Sequence, residues 1–392
     1  MRPTPVLAAA LLGLAPAAGA AIVPCGGAFP DFVAAMKAEA LAAGHPAEAV
    51  ERFFAAARQD DRVIRADRAQ GIFRKDFIAF ARSLISADRL ANGHRNAERH
   101  AEIFAEAERR FGVARGVLLA FWALETDYGA VQGDFVTLNA LMTLSHDCRR
   151  PALFQPQVLA ALELHAQGGF DLATTGAWAG EIGMVQMLPG DILRLGVDGD
   201  GDGKVSLKTS VPDAILSGAA LLADHGWRAG EPWLHQVRVP AEMDWALSGV
   251  DKTLPVADWE RMGVAARDGA LPAGDLPASL LLPMGRKGPA FLAYPNFQVF
   301  FDWNKSFVYV TTAAYFATRL EGAPVFEPGD PDPALSDEAM QALQRKLGAR
   351  GHDVGAIDGI LGALTRAAVQ KEQARLGLPA DAWPTRDLLD RL

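Results

Sequence analysis

Residues 117–135 read VLLAFWALETDYGAVQGDF, and a single acid, Glu125, stands inside an apolar run that reads as a buried helix. A carboxylate among Phe121, Trp122, Leu124 and Tyr128 is costly to desolvate, so its pKa is expected to rise until it is protonated near neutral pH. A protonated carboxyl beside aromatic rings makes a good general acid. The plainer alternative is that Glu125 ends its helix and points at water, and both readings stay open on the residues alone.

Outward from this stretch the chain is mainly helical. Between residues 29 and 115 apolar residues recur every three or four positions, as in FPDFVAAMKAEALAAG (29–44) and AERHAEIFAEAERRFG (97–112), with Gly44, Gly93 and Gly112 placed as helix stops. Residues 116–230 continue mostly helical around a glycine-rich polar insertion at 198–204. Three β-like runs follow, HQVRV (235–239), SLLLP (279–283) and AFLAY (290–294), and predict a small sheet beside the helical body. The stretch EGAPVFEPGDPDPAL (321–335) gathers four prolines, two glycines and four acids, as a linker between modules would. Residues 336–392 are too few for a large core and predict a compact bundle of about three helices. The expected fold is therefore mainly α: an α+β body over 21–321, a linker over 322–335 and a small three-helix domain at the end.

The chain has 392 residues, half of them apolar, and a formal net charge of −9. That length suits one large or two smaller domains, and that charge argues against nucleic acid or an anionic membrane surface as partner. Residues 1–20 have one basic residue, a short apolar stretch and small residues before Ala21, the pattern of a cleavable secretory signal. A membrane anchor needs about 20 continuous apolar residues, and Pro16 interrupts this run. Cys25 does not follow a lipoprotein box, so a soluble, monomeric periplasmic protein is expected. Cys25 and Cys148 are the only cysteines, and in an oxidising compartment such a pair predicts a disulfide; two unrelated buried thiols are the alternative.

The usual nucleophile, zinc-protease and phosphate-loop motifs are absent. One further pattern stands out in DGDGDGKVSLKTSVPDAI (198–215). Asp198, Asp200 and Asp202 occupy the first, third and fifth positions of a calcium loop, Gly203 the sixth and the Lys204 carbonyl the seventh. Position twelve is Thr209 instead of the usual glutamate, so Asp213 is expected to close the shell around a structural Ca²⁺. An acidic surface turn is the alternative.

Several segments taken together carry a resemblance: LETDYG (124–129), GAWAGEIGMVQMLPGD (176–191), the acidic loop, GWRAGEPW (226–233) and YPNFQVFFDWNKS (294–306). In this order they resemble the bacterial lytic murein transglycosylase B family. The C-terminal stretch, with Asp358-Gly359 and Gly362 before Thr365-Arg366, resembles a small three-helix peptidoglycan-binding module. The resemblance implies a lysozyme-like catalytic domain in which Glu125 is the sole catalytic acid and base, Gln186 and Asn304 contact substrate, and Tyr128 belongs to the same site. Gln186 could instead satisfy a buried backbone group, and Asn304 could cap the following helix.

Two positions depart from the family pattern. Ala177 replaces a serine whose hydroxyl would orient the catalytic carboxylate, and Glu181 replaces a small residue. If Glu181 faced the cleft it would raise the pKa of Glu125; it could equally face solvent. The resemblance implies non-hydrolytic cleavage of the MurNAc–GlcNAc bond of peptidoglycan. The alternatives are a catalytically weakened peptidoglycan-binding scaffold and a hydrolytic muramidase. The last is disfavoured because Asp127, two residues further along the helix, points to another face. The C-terminal module is expected to fold independently and to be held by the linker without a fixed pose.

Overall fold

A computed structural model of the protein describes residues 22–69, 75–272 and 274–392, so the expected secretory segment lies outside the described residues. The chain divides into two compact units, one of residues 22–69 and 91–225, the other of residues 75–90 and 226–392. The division at 225/226 falls inside what the sequence predicts to be one catalytic body.

The first unit is almost wholly helical. At its centre lies the helix Arg115–Thr126, in which every residue from Gly116 onward is buried. A helix apolar on all faces must be wrapped, and the helices Ala101–Phe111 and Val211–Asp224 pack against it. Gly112 ends the preceding helix at φ 71°, the left-handed cap that glycine adopts without steric cost. Gly93 does not terminate a helix as expected. It lies buried within Ala87–Arg99, where packing outweighs its poor helix propensity. A two-stranded ribbon joins β1 (Phe135–Val136) to β2 (Thr175–Gly176), with Phe135 opposite Gly176.

The expected disulfide Cys25–Cys148 is present and closes a separation of 123 residues. Beside it Gly26 N donates to the His146 carbonyl at 2.9 Å. The buried Gln155 amide exchanges two hydrogen bonds of 3.0 Å with the backbone of Val23. The N-terminal segment is thereby fixed on the helix Pro151–Ala166.

The second unit is built on an antiparallel sheet of β3 (Leu234–Arg238), β4 (Leu254–Pro255), β5 (Ala265–Ala266), β6 (Pro277–Leu281) and β7 (Ala290–Ala293), in the order β4-β6-β7-β3-β5. The three predicted β runs fall on β3, β6 and β7. One face covers a core of Trp245, Val256, Trp259, Leu280 and Leu292. The helix Phe77–Leu84 joins this unit through Phe77, whose ring meets Phe291, Tyr315 and Phe326. The C-terminal residues form three helices, Asp337–Ala349, Ala363–Arg375 and Arg386–Arg391, around Met340, Leu343, Leu347, Val369 and Leu388.

These helices do not hang from a slack tether, contrary to expectation. Gln370 Nε2 reaches out of the helix Ala363–Arg375 to the carbonyls of Ser248 at 2.9 Å and Trp245 at 3.3 Å, and Lys252 donates to its other amide atom. Arg286 pairs with Asp381 at 3.4 Å, and Arg366 donates to the Pro283 carbonyl at 2.7 Å. The proline-rich stretch is itself laid against the sheet. Glu327 pairs with Arg238 at 2.7 Å and Arg267 at 3.3 Å, Phe326 is buried, and Asp330 N donates to the Lys287 carbonyl. Composition marked the absence of helix and strand there, but side-chain pairing decides whether such a stretch is free.

Candidate active site

In the first unit Glu125 is the penultimate residue of its helix and 1% exposed, so the water-facing reading fails. The chain then turns sharply. Asp127, Tyr128 and Gly129 all have positive φ, of 50°, 59° and 86°. Asp127 N closes on the Ala123 carbonyl and Tyr128 N on the Trp122 carbonyl, which satisfies the helix end. The turn folds Tyr128 back so that its ring meets Trp122 edge to face at 5.5 Å. Two residues after Glu125, Asp127 has already left the helix, so it does not continue the face that carries the acid.

Thr126 fastens this corner. Its hydroxyl donates to the Met184 carbonyl at 2.7 Å and accepts from Gly129 N at 2.9 Å, joining the acid-bearing helix to the segment 176–187. The sequence reading gave Thr126 no role, although it stands inside the LETDYG motif beside the acid. The segment it holds is a tight double turn, in which Ala177 N bonds the Glu181 carbonyl and Ile182 pairs with Met187. Gly183, at φ 81°, lies where an added Cβ would come within 2.5 Å of the Leu207 carbonyl oxygen, so only glycine fits.

Gln186 follows at φ 53° and 4% exposure. Its Nε2 donates to the Gly183 carbonyl at 2.7 Å. The plainer role, satisfying buried backbone, is therefore filled by one end of the amide. Asn304 lies in the second unit, 4% exposed at the end of the helix Pro295–Trp303, and its Oδ1 accepts from Ser306 N at 2.8 Å. It shapes the junction into the helix Phe307–Leu320, whose cap is Ser306.

Glu181 faces no solvent. It is 2% exposed and neither carboxyl oxygen has a hydrogen-bond partner of good geometry. Desolvation pushes its pKa up to about 7, against smaller opposing pulls from the Glu181 and Ala179 amides and the Arg150 charge. Ala177 is buried as well, at 4% exposure, and its methyl offers no hydroxyl to a neighbouring carboxyl.

The acidic loop gathers three of its expected ligands. Carboxylate oxygens of Asp198, Asp200 and Asp202 lie within 4.8 Å of one another and are exposed. Asp198 also accepts from Gly201 N at 2.7 Å and Gly203 N at 2.8 Å, which curls the loop around the cluster. An all-oxygen set of this charge fits a hard cation such as calcium. Asp213 is not in the cluster. Fully buried, it accepts from Gly199 N at 2.8 Å and Ser206 N at 2.6 Å, so it braces the loop's two ends from beneath.

Residues 28–318 match the family described as the transglycosylase SLT domain, and residues 336–392 match the putative peptidoglycan binding domain. The chain is similar to the membrane-bound lytic murein transglycosylase B of Escherichia coli K12, with 30% identity over 157 residues. That match spans 40% of this chain and 43% of the relative, less than half of either. It also resembles the crystal structure of SltB3 from Pseudomonas aeruginosa in complex with NAG-anhNAM-pentapeptide, at a TM-score of 0.85 and 37% identity, covering 93% of this chain and 99% of that one. A third likeness, to the E. coli lytic transglycosylase Slt35 in complex with calcium, has a TM-score of 0.64 and 23% identity over 76% of this chain and 95% of that one, and concerns the fold.

Proposed function

The chain belongs to the transglycosylase SLT domain family and ends in a peptidoglycan-binding domain, and on that footing we propose that it cleaves the MurNAc–GlcNAc β-1,4 bond without water, leaving 1,6-anhydro-MurNAc ends. The observation that carries this reading is Glu125, buried at the end of an apolar helix whose following turn is pinned by Thr126.

Glu125, as a neutral carboxyl, donates its proton to the glycosidic oxygen as the bond to MurNAc C1 breaks. No second carboxylate is assigned to trap the oxocarbenium-like centre, and the substrate's own 2-acetamido oxygen takes that part. Glu125, now charged, removes the proton from the MurNAc C6 hydroxyl, and that oxygen closes on C1. One proton leaves Glu125 and one returns, and no water is consumed. Gln186, Tyr128 and Asn304 are the proposed sugar-holding residues. Asp198, Asp200, Asp202 and the Lys204 carbonyl are the proposed ligands of a Ca²⁺ that stiffens the loop, and the protein is proposed to work in the periplasm after removal of residues 1–20. Among the described residues no helix is long and apolar enough to cross a membrane.

The test is the product released from purified sacculi in ¹⁸O-water. Unlabelled MurNAc ends, one water lighter than reducing sugars, are expected, and Glu125→Gln should lower their yield at least about 100-fold. Labelled reducing ends would make the protein a hydrolase. The loss of the serine at Ala177 favours the weakened-scaffold reading, which intact binding with no product would establish.

A further inference from the structure

Within the second unit a cavity of about 210 Å³ opens where the C-terminal helices meet the sheet-bearing part. It is lined by Arg366, Lys305 and Lys75, by the rings of Phe77, Phe307 and Trp383, and by the start of the helix Ala363–Arg375. Gly362 caps that 13-residue helix with no side chain, so its first-turn amides present their partial positive charge without a built-in acceptor.

Arg366 is the informative residue. Its guanidinium lies 4.7 Å from the Phe307 ring centre and 5.9 Å from that of Trp383, and one amino group donates to Pro283. Nε is buried without any partner. Asp381, the carboxylate that acts on Arg366, is committed to Arg286. Desolvation pushes the Arg366 pKa down to about 10, which still leaves it charged at neutral pH. With Asp381 drawn to Arg286 and Nε left without an acceptor, the guanidinium keeps a donor free for an added anion. The acids on the cavity wall, Asp76 and Asp337, both stand at helix starts, where Asp76 caps Ala79 N.

We propose that this cavity binds a free carboxylate of the peptidoglycan stem peptide, with Arg366 as its anchor and, on its wall, Lys75 and the Asp302-paired Lys305. The proposal rests on peptidoglycan being the substrate, since its stem peptides carry carboxylates as their anionic groups. A chain of net charge −9 repels such a polymer at long range, so capture needs a local cationic site. Aromatic walls suit a carboxylate on a short aliphatic arm better than a heavily hydrated phosphate. Because Phe307 and Lys305 precede the linker and Arg366 follows it, neither part holds the site alone.

Calorimetric titration of the full chain with synthetic L-Ala-γ-D-Glu-meso-diaminopimelate tests the idea. Binding in the millimolar range or tighter is expected, weakened at least about 10-fold by Arg366→Gln and by amidating the peptide's carboxyl groups. Should Arg366→Gln disturb folding, the double variant Lys75→Gln/Lys305→Gln, altered on the wall, decides, with an expected loss of about threefold. Equal affinity in that variant, no binding at all, or displacement of the peptide by equimolar inorganic phosphate would overturn the proposal. Sacculus cleavage is measured in parallel. Anhydro products with unaltered peptide binding in the variants refute only the cavity, and peptide binding that responds as expected without anhydro products refutes only the proposed reaction.

Discussion

Glu181 and Arg366 are both ionisable side chains with buried polar atoms that lack a hydrogen-bond partner, and they belong to different units of the chain. The carboxyl can discharge itself, because a pKa near 7 lets it hold a proton under ordinary conditions. The guanidinium cannot, because even after desolvation its pKa stays near 10. One region therefore answers burial by titrating and the other by keeping a donor free for an anion. The exposed trio Asp198, Asp200 and Asp202 takes the remaining course, anions gathered so that a cation can join them. The same physical problem thus leaves three signatures: a pH dependence, a ligand dependence and a metal dependence.

The largest expected effect tests the first. The folded-state pKa of Glu181 is raised, so the folded protein holds more protons than the unfolded chain between the ordinary glutamate value and about 7. Stability is full below that window, falls as pH rises through it and stays low above, by roughly 3 kcal/mol for a shift of this size. Melting at pH 5 and pH 8 should separate for the native chain, and Glu181→Gln should remove most of the separation. Parallel curves for the two proteins would place a hidden partner beside Glu181 and dissolve the contrast with Arg366.

Next comes the metal. Millimolar calcium should raise the melting temperature over that in excess EDTA by about 5 °C, from binding to the folded form alone. Asp200→Asn should shrink that rise, whereas calcium-insensitive melting would return the trio to the status of an acidic turn.

The smallest effect sharpens the docked side of the comparison. Gln370→Ala takes from the Ser248 carbonyl its side-chain donor and removes the further bonds to the Trp245 carbonyl and Lys252, at a cost of about 1–3 kcal/mol read as a lowered melting temperature. A tethered module would show no change in the melting of the sheet-bearing part.

Much of this was legible in the chain because the signals are local. An all-apolar helix with one acid announces Glu125, and alternation with turn residues announces β3, β6 and β7. The aspartates at alternate positions announce a loop. What escaped depends on residues far apart in sequence. Thr126 looks ordinary until Met184 is placed against it, and the bracing of the acidic loop by Asp213 shows only once Gly199 and Ser206 are placed beside it. Gly93 carries the mark of a helix stop, and burial overrules it. Arg366 belongs to a recognisable motif, but its unpaired Nε is written in Phe307, Pro283 and the pairing of Asp381 with Arg286.

The laid-down linker has a consequence for how the molecule comes apart. A protease that reached Gly329 or Pro333 would cut a stretch whose neighbours are held from both sides, Phe326 in the core and the Asp332 carbonyl by the Trp383 indole at 2.9 Å. The severed C-terminal helices would still be gripped through Gln370, Arg366 and Asp381. Nicked protein should therefore run as two bands under denaturing electrophoresis and as one peak in gel filtration.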